Sequence, residues 1–150
     1  MDLLNNISER KAVTLTEIQY CSNDYNNYPD EGRLEGSDSI VVKEIRNTGF
    51  LISFNRSIKS PDNNFISFFV SFDIEYTFTE PYDSDNYISK DDLEKFICEN
   101  QDELLCGCAA RSSLIISQIS AQLGIGIPII SPSNLMVKKF NASIDSLNCD

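Results

Sequence analysis

The chain has 150 residues, 41% hydrophobic and 23% charged, enough for one domain with a buried core and not for two. Asp and Glu number 23 against 12 Lys and Arg, and the net charge of −11 repels phosphate backbones and argues against nucleic-acid binding. Histidine is absent, which excludes Ser-His and Cys-His nucleophile pairs and any His-ligated zinc or haem.

No apolar run approaches the roughly 20 residues of a bilayer-spanning helix, so no transmembrane segment is expected. The start, Met1-Asp2-Leu3-Leu4-Asn5-Asn6, has neither a basic region nor an apolar one and does not read as a signal peptide. Cysteines stand at Cys21, Cys98, Cys106, Cys108 and Cys149. Their odd number and irregular spacing predict reduced thiols in a cytoplasmic protein. Cys106-Gly107-Cys108 is a C-x-C inside a predicted helix, where residues two apart point to opposite sides. No metal, cofactor or catalytic group is expected.

The first predicted strand runs from Lys11 to Cys21, rich in Val13, Thr14, Thr16, Ile18 and Tyr20. Ser22 to Ser37 is a long polar loop with Pro29, Gly32 and Gly36. Ile40, Val41, Val42 and Ile45 give the second strand, and Asn47-Thr48-Gly49 marks a bulge or a tight turn. Phe50, Ile52 and Phe54 give the third strand, which ends at the turn Ser60 to Asn64.

Phe65 to Thr79 carries the strongest pattern. Ile66, Phe68, Val70, Phe72, Ile74, Tyr76 and Phe78 alternate with mostly polar residues, which predicts one long strand with one face on a core. After Glu80 to Ile88, Ser89 is a predicted N-cap for a short helix, Lys90 to Glu99, with Asp91 and Asp92 at its positive end. A second, long helix begins at Asn100, with Glu103 completing a variant capping box. Leu105, Cys108, Ala109, Ser112, Ile115, Ile116, Ile119 and Leu123 recur at helical spacing, and Gly124, Gly126 and Pro128 end the helix. The whole chain is read as one α+β domain. Its long-stranded antiparallel sheet of about four strands is packed on one face by the long helix and the shorter one. About ten residues at the start and a dozen at the end are expected to be flexible. Expected core residues are Phe68, Val70, Phe72, Ile74, Tyr76, Leu93, Phe96, Leu105, Ile115 and Ile119.

The stretch from Ile116 to Asn134 (ISQISAQLGIGIPIISPSN) resembles the bacterial export chaperone family SecB. It is similar to the family's long helix ending Ile-Ser-x-Leu-Thr, then Gly, then Pro-hydrophobic-x-Leu-Pro-Pro-x-Asn. The order of elements fits from residue 11 to 137. Departures are Ala110-Arg111-Ser112-Ser113, where the family often has Pro-Tyr-Ala-Arg, and Ser131 and Ser133, where it often has apolar residues. The resemblance implies a SecB-like fold, assembly into dimers or tetramers, and ATP-independent binding of unfolded polypeptide by a protein that is not an enzyme. It also implies acidic residues on the exposed sheet face that dock the export motor SecA. SecB-like chaperones also act outside export, as guardians of toxin–antitoxin pairs.

Candidate peptide-binding residues are Phe65, Phe69 and Leu51, apolar at positions the core pattern does not use, and the loop tyrosines Tyr25 and Tyr28. Asp73 and Glu75 share the outward face as a docking surface for a basic partner. A solvated strand face is the first reading of the same pair, and docking the second. Gly124 and Gly126 do not form a phosphate loop. Two other readings stay open: a factor with one dedicated protein partner, of a toxin–antitoxin or phage-linked kind, and an α+β protein with an enclosed small-ligand pocket.

Overall fold

The computed structural model describes residues 3–22, 34–60, 66–82, 88–122, 129 and 131. A short α1 (Leu3–Asn6) leads into β1 (Ile7–Ser22), β2 (Glu35–Arg46), β3 (Gly49–Lys59) and β4 (Ile66–Phe78), followed by α2 (Lys90–Glu99) and α3 (Gln101–Gln122). The four strands form one antiparallel sheet in the order β1-β4-β3-β2. The first two strands in sequence therefore lie at opposite edges. The architecture is the expected α+β one, with α2 and α3 on one side of the sheet.

The alternation of β4 decides which side. Ile66, Phe68, Val70, Phe72, Ile74, Tyr76 and Phe78 are all buried, and their registered neighbours Phe50, Ile52, Phe54 and Ile58 on β3 are buried with them. The helices close this face with Leu93, Phe96, Ile97, Leu104, Leu105, Cys108, Ala109 and Ile116. Asn47-Thr48 is a tight turn rather than a bulge: Arg46 pairs directly with Gly49. Glycine is required there, because a Cβ at Gly49 would sit 2.0 Å from the Tyr76 carbonyl oxygen.

β1 begins four residues before its expected start. Asn6 ties this end to the chain after β4: its carbonyl accepts from Thr79 N at 2.7 Å, and its side chain exchanges hydrogen bonds with the Glu80 backbone. Residues 139–150, expected to be flexible, lie outside the described residues. So do Gly124, Gly126 and Pro128, the expected terminators of α3.

Ser89 caps α2 as expected, its Oγ accepting from Asp92 N at 3.1 Å. Asn100 serves the helix before it: its Nδ2 donates to the Phe96 carbonyl at 2.9 Å. Two expected core residues need correction. Ile115 and Ile119 are only half-buried, and Ser112, Ile116 and Ser120 are buried in their place. The buried stripe is rotated because the chain after α3 returns along it. Ile129 N donates to Ser120 Oγ at 2.7 Å, and Ser113 donates to the Ser131 carbonyl, so that flank is covered and the Ile115 flank is not. By length and composition α3 could span a bilayer, although the run-length argument had excluded such a segment. Here its apolar side lies on the sheet.

Replacing Phe72, which is 4% exposed, with Ala is expected to cost about 3–5 kcal/mol, the usual range for a buried Phe→Ala change. Urea unfolding measures it. A loss below about 0.5 kcal/mol, the scale of a neutral surface change, would mean that the strand faces are reversed.

Candidate functional site

Two contacts fix where α3 stands. Arg56, fully buried on β3, holds Asp38 of β2 through two hydrogen bonds of 2.7 Å, and its Nη1 donates to the Ala109 carbonyl at 3.1 Å. At the other flank the Tyr76 hydroxyl donates to the Leu104 carbonyl at 2.7 Å, and Lys11 of β1 reaches the same carbonyl at 3.4 Å. Burial pushes the Tyr76 phenol well above its ordinary pKa, so it stays a neutral donor. Helix α3 packs on β3 and β4. The helix-side row of β1 is left beside it.

That row is Val13, Leu15, Ile18 and Tyr20, opposite Ile74, Phe72, Val70 and Phe68 of β4. Leu15 and Ile18 are each 43% exposed although they share the core side of the sheet. On α3, Ile115 and Ile119 are half-buried against the core and Leu114 is 58% exposed. We read Leu15 and Ile18 on one side and Ile115 and Ile119 on the other as the walls of an apolar groove between the sheet edge and the helix. Sequence reasoning missed it for a definite reason. An extra residue at Thr16 shifts the register between Leu15 and Glu17, so the row runs 13, 15, 18, 20 and escapes a search for strict alternation.

Of the residues expected to bind peptide, only Phe69 and Leu51 are among the described ones. Phe65, Tyr25 and Tyr28 lie outside the described residues. Phe69 and Leu51 are half-buried on the opposite, outer face of the sheet. Leu51 pairs with Glu75, six residues from Phe69 along β4, which is about 20 Å at roughly 3.4 Å per residue. Between them runs a polar ladder: Ser71 Oγ donates to Asn55 Oδ1 at 2.7 Å, Ser53 donates to Asp73, and Lys43 Nζ lies 2.8 Å from both Asp73 oxygens. Glu75 also has a partner, Arg46 at 3.4 Å, whose guanidinium is shared with Glu44. The hydrogen bond from Arg46 holds the Glu44 carboxyl below its usual range. Asp73 and Glu75 do share one face, as expected, but two cations from β2 already partner them.

An open cleft of about 750 Å³ lies between the first residues of β1 and the start of α3, lined in part by Leu4, Ile7, Lys11, Tyr76 and Glu103. It is a depression rather than an enclosed pocket, and its central hydroxyl is committed to Leu104. Among the described residues no group of three or more His, Cys, Asp or Glu could hold a metal ion. Cys106 is exposed and Cys108 buried, the opposite orientations that helical spacing requires.

No family model matches the sequence, and no curated protein matches it either. In structure the chain is similar to the SecB-like chaperone Rv1957 of Mycobacterium tuberculosis, solved in complex with a ChAD peptide from the HigA1 antitoxin. The TM-score is 0.65 at 8% identity, over 87% of this chain and 88% of that one. A protein of unknown function from Streptococcus agalactiae matches with a TM-score of 0.37 at 8% identity, over 84% of this chain and 98% of that one. The fold is therefore SecB-like, as the sequence resemblance implied.

Two predictions follow from the buried groups. Arg56→Met strands the Asp38 carboxylate in the core and is expected to cost about 3–5 kcal/mol, with much of the loss recovered when Asp38→Leu is added. Chemical denaturation of the single and double variants measures the coupling, and additive losses would contradict it. Burial also pushes the Cys108 thiol above its ordinary pKa. A thiol-specific reagent in the native state should therefore modify Cys106 at least tenfold faster than Cys108, as read by peptide mapping.

Proposed function

We propose that this SecB-like chain is an ATP-independent holdase that binds unfolded polypeptide segments and does no catalysis. The observation that carries the reading is the exposure of Leu15 and Ile18 on the core side of β1, which with the half-buried Ile115 and Ile119 of α3 would frame an apolar groove. An isolated domain gains nothing in stability from leaving such a row uncovered, and exposed apolar grooves are the common form of an interaction site. β1 is an edge strand among the described strands, so an extended segment laid along it gains both apolar burial and main-chain hydrogen bonds. The peptide complex of the Mycobacterium tuberculosis chaperone supports a peptide-binding use of this fold.

That same complex favours a second reading, in which the chain serves one dedicated partner rather than many clients. Capture from lysate separates the two: a broad set of unfolded proteins supports the holdase, and one stoichiometric protein supports the dedicated role. On the outer face we assign Asp73 and Glu75, with Phe69 and Leu51 at the two ends, to docking of a basic partner such as the export motor. Its cations must displace Lys43 and Arg46, so this association is expected to weaken steeply with salt. Client binding in the apolar groove is expected to resist salt and to show a negative heat-capacity change.

Light scattering of a refolding test protein provides the check. A molar excess of this chain should suppress aggregation without nucleotide, and an unchanged trace would sink the holdase reading. Leu114→Ser/Ile119→Ser should lower client affinity about tenfold, on the order of 1.4 kcal/mol, while circular dichroism stays that of wild type.

A further inference from the structure

The helix-side row of β1 ends in a cation. Lys11 lies opposite the buried Tyr76, on the same side of the sheet as Val13, Leu15, Ile18 and Tyr20. Glu17, the other charge between Lys11 and Ser22, lies opposite Ser71 in the outward row. Lys11 is exposed, and among the described residues its contacts are neutral: the ammonium reaches the Leu104 carbonyl at 3.4 Å and stands 5.7 Å from the centre of the Tyr76 ring. Lys43, Arg46, Arg56, Lys90 and Lys95 each hold a carboxylate within 4.0 Å instead. Lys11 also lines the open cleft of about 750 Å³. β1 is irregular at that point: Ile7 pairs with Phe78 and Lys11 with Tyr76, so four steps of β1 run against two of β4. Extra residues of this kind are common beside functional sites. We propose that Lys11 takes the free C-terminal carboxylate of a bound polypeptide in this cleft, with the apolar residues before that end laid along Val13, Leu15, Ile18 and Tyr20. This rests on the peptide-binding reading above and adds which end of the client is held and which way the client runs.

Charge and chain direction select the occupant. A chain whose carboxylate sits at Lys11 runs toward it, antiparallel to β1. The reverse direction sets an N-terminal ammonium against the Lys11 ammonium, and like charges at close range repel. The row also sets a length. Tyr76 and Phe68, opposite Lys11 and Tyr20, are eight residues apart on β4, about 27 Å at roughly 3.4 Å per residue, which about nine extended residues match. The lining favours a polypeptide end over an alkyl carboxylate, because Asn5, Ser8 and Glu103 stand there beside Leu4 and Ile7. A backbone brings N–H groups for the Glu103 carboxylate to accept from, and an alkyl chain has none.

Fluorescence anisotropy tests this with one apolar peptide of that length, labelled at its N-terminus and made as the free acid and as the C-terminal amide. The free acid should bind wild type about fivefold tighter, the upper end for a solvent-exposed ion pair, and the advantage should fade as salt rises. Lys11→Met should remove the advantage and leave amide binding and the circular dichroism spectrum unchanged. Equal binding of acid and amide to wild type overturns the proposal, as does an advantage that survives in Lys11→Met. Binding of neither form overturns it too, and in each case the aggregation assay decides the holdase reading separately. Dodecanoate that displaces the free acid at a lower concentration than unlabelled peptide does assigns the cleft to alkyl carboxylates and overturns the peptide assignment. Should Lys11→Met fail to fold, carbodiimide coupling of the wild-type complex carries the test. The new amide bond should join the peptide's terminal carboxylate to Lys11, as mapped by mass spectrometry, and coupling at other lysines alone refutes the site.

Discussion

Arg56 sets the position of everything that matters for the surface. It is a guanidinium with no exposed area in the middle of an apolar sheet face, and it joins three elements at once: β2 through Asp38, its own strand β3, and α3 through the Ala109 carbonyl. Burying both charges costs several kcal/mol per ion, and their attraction roughly offsets that cost only in good geometry. The two 2.7 Å bonds supply that geometry. The net gain in stability is therefore small. What the pair contributes is position: a planar fork accepts one arrangement of partners, whereas an apolar contact at the same place would tolerate a sliding helix.

With α3 held at Ala109 on one flank and at Leu104 on the other, the helix covers β3 and β4 and stops short of β1. The uncovered row is a consequence of that stance. The outer face of the sheet solves its exposure differently. It is built from Ser53, Asn55, Ser71, Asp73, Lys43 and Arg46, whose hydrogen bonds and ion pairs make it a self-satisfied polar ladder. One face thus carries charge that is mostly matched within itself. The other leaves Leu15 and Ile18 exposed beside the area the helices cover. The binding role we propose, driven by apolar burial, draws on the second.

The legible parts of the sequence were those governed by a single period. Seven apolar residues at alternate positions fixed β4 and its buried face, and Ser89 with Asp92 fixed the start of α2, because each signal is local. The resemblance over Ile116 to Asn134 pointed to the fold that the structural comparison then bore out. The groove was illegible because a one-residue bulge at Thr16 hides the row Val13, Leu15, Ile18, Tyr20 from any fixed period. Arg56 was illegible for another reason. A charged residue in a strand reads as outward-facing, and only its registered partner Asp38, 18 positions away, makes it an inward one. Ile115 and Ile119 misled because helical spacing defines a stripe but not which neighbour covers its flank. That depended on the return of the chain at Ile129 and Ser131.

A fold shared at 8% identity says how the elements are arranged and leaves open what the surface does. At that divergence the side chains that touch a partner have been rewritten many times over, so activity must be argued from this chain's own exposed groups. Here those groups are consistent with one another. Leu15 and Ile18 sit on a strand at the edge of the described sheet, on a segment whose two charges cancel within a strongly acidic chain. Apolar side chains, unpaired backbone and local neutrality are the three conditions for holding an extended polypeptide without reading its sequence.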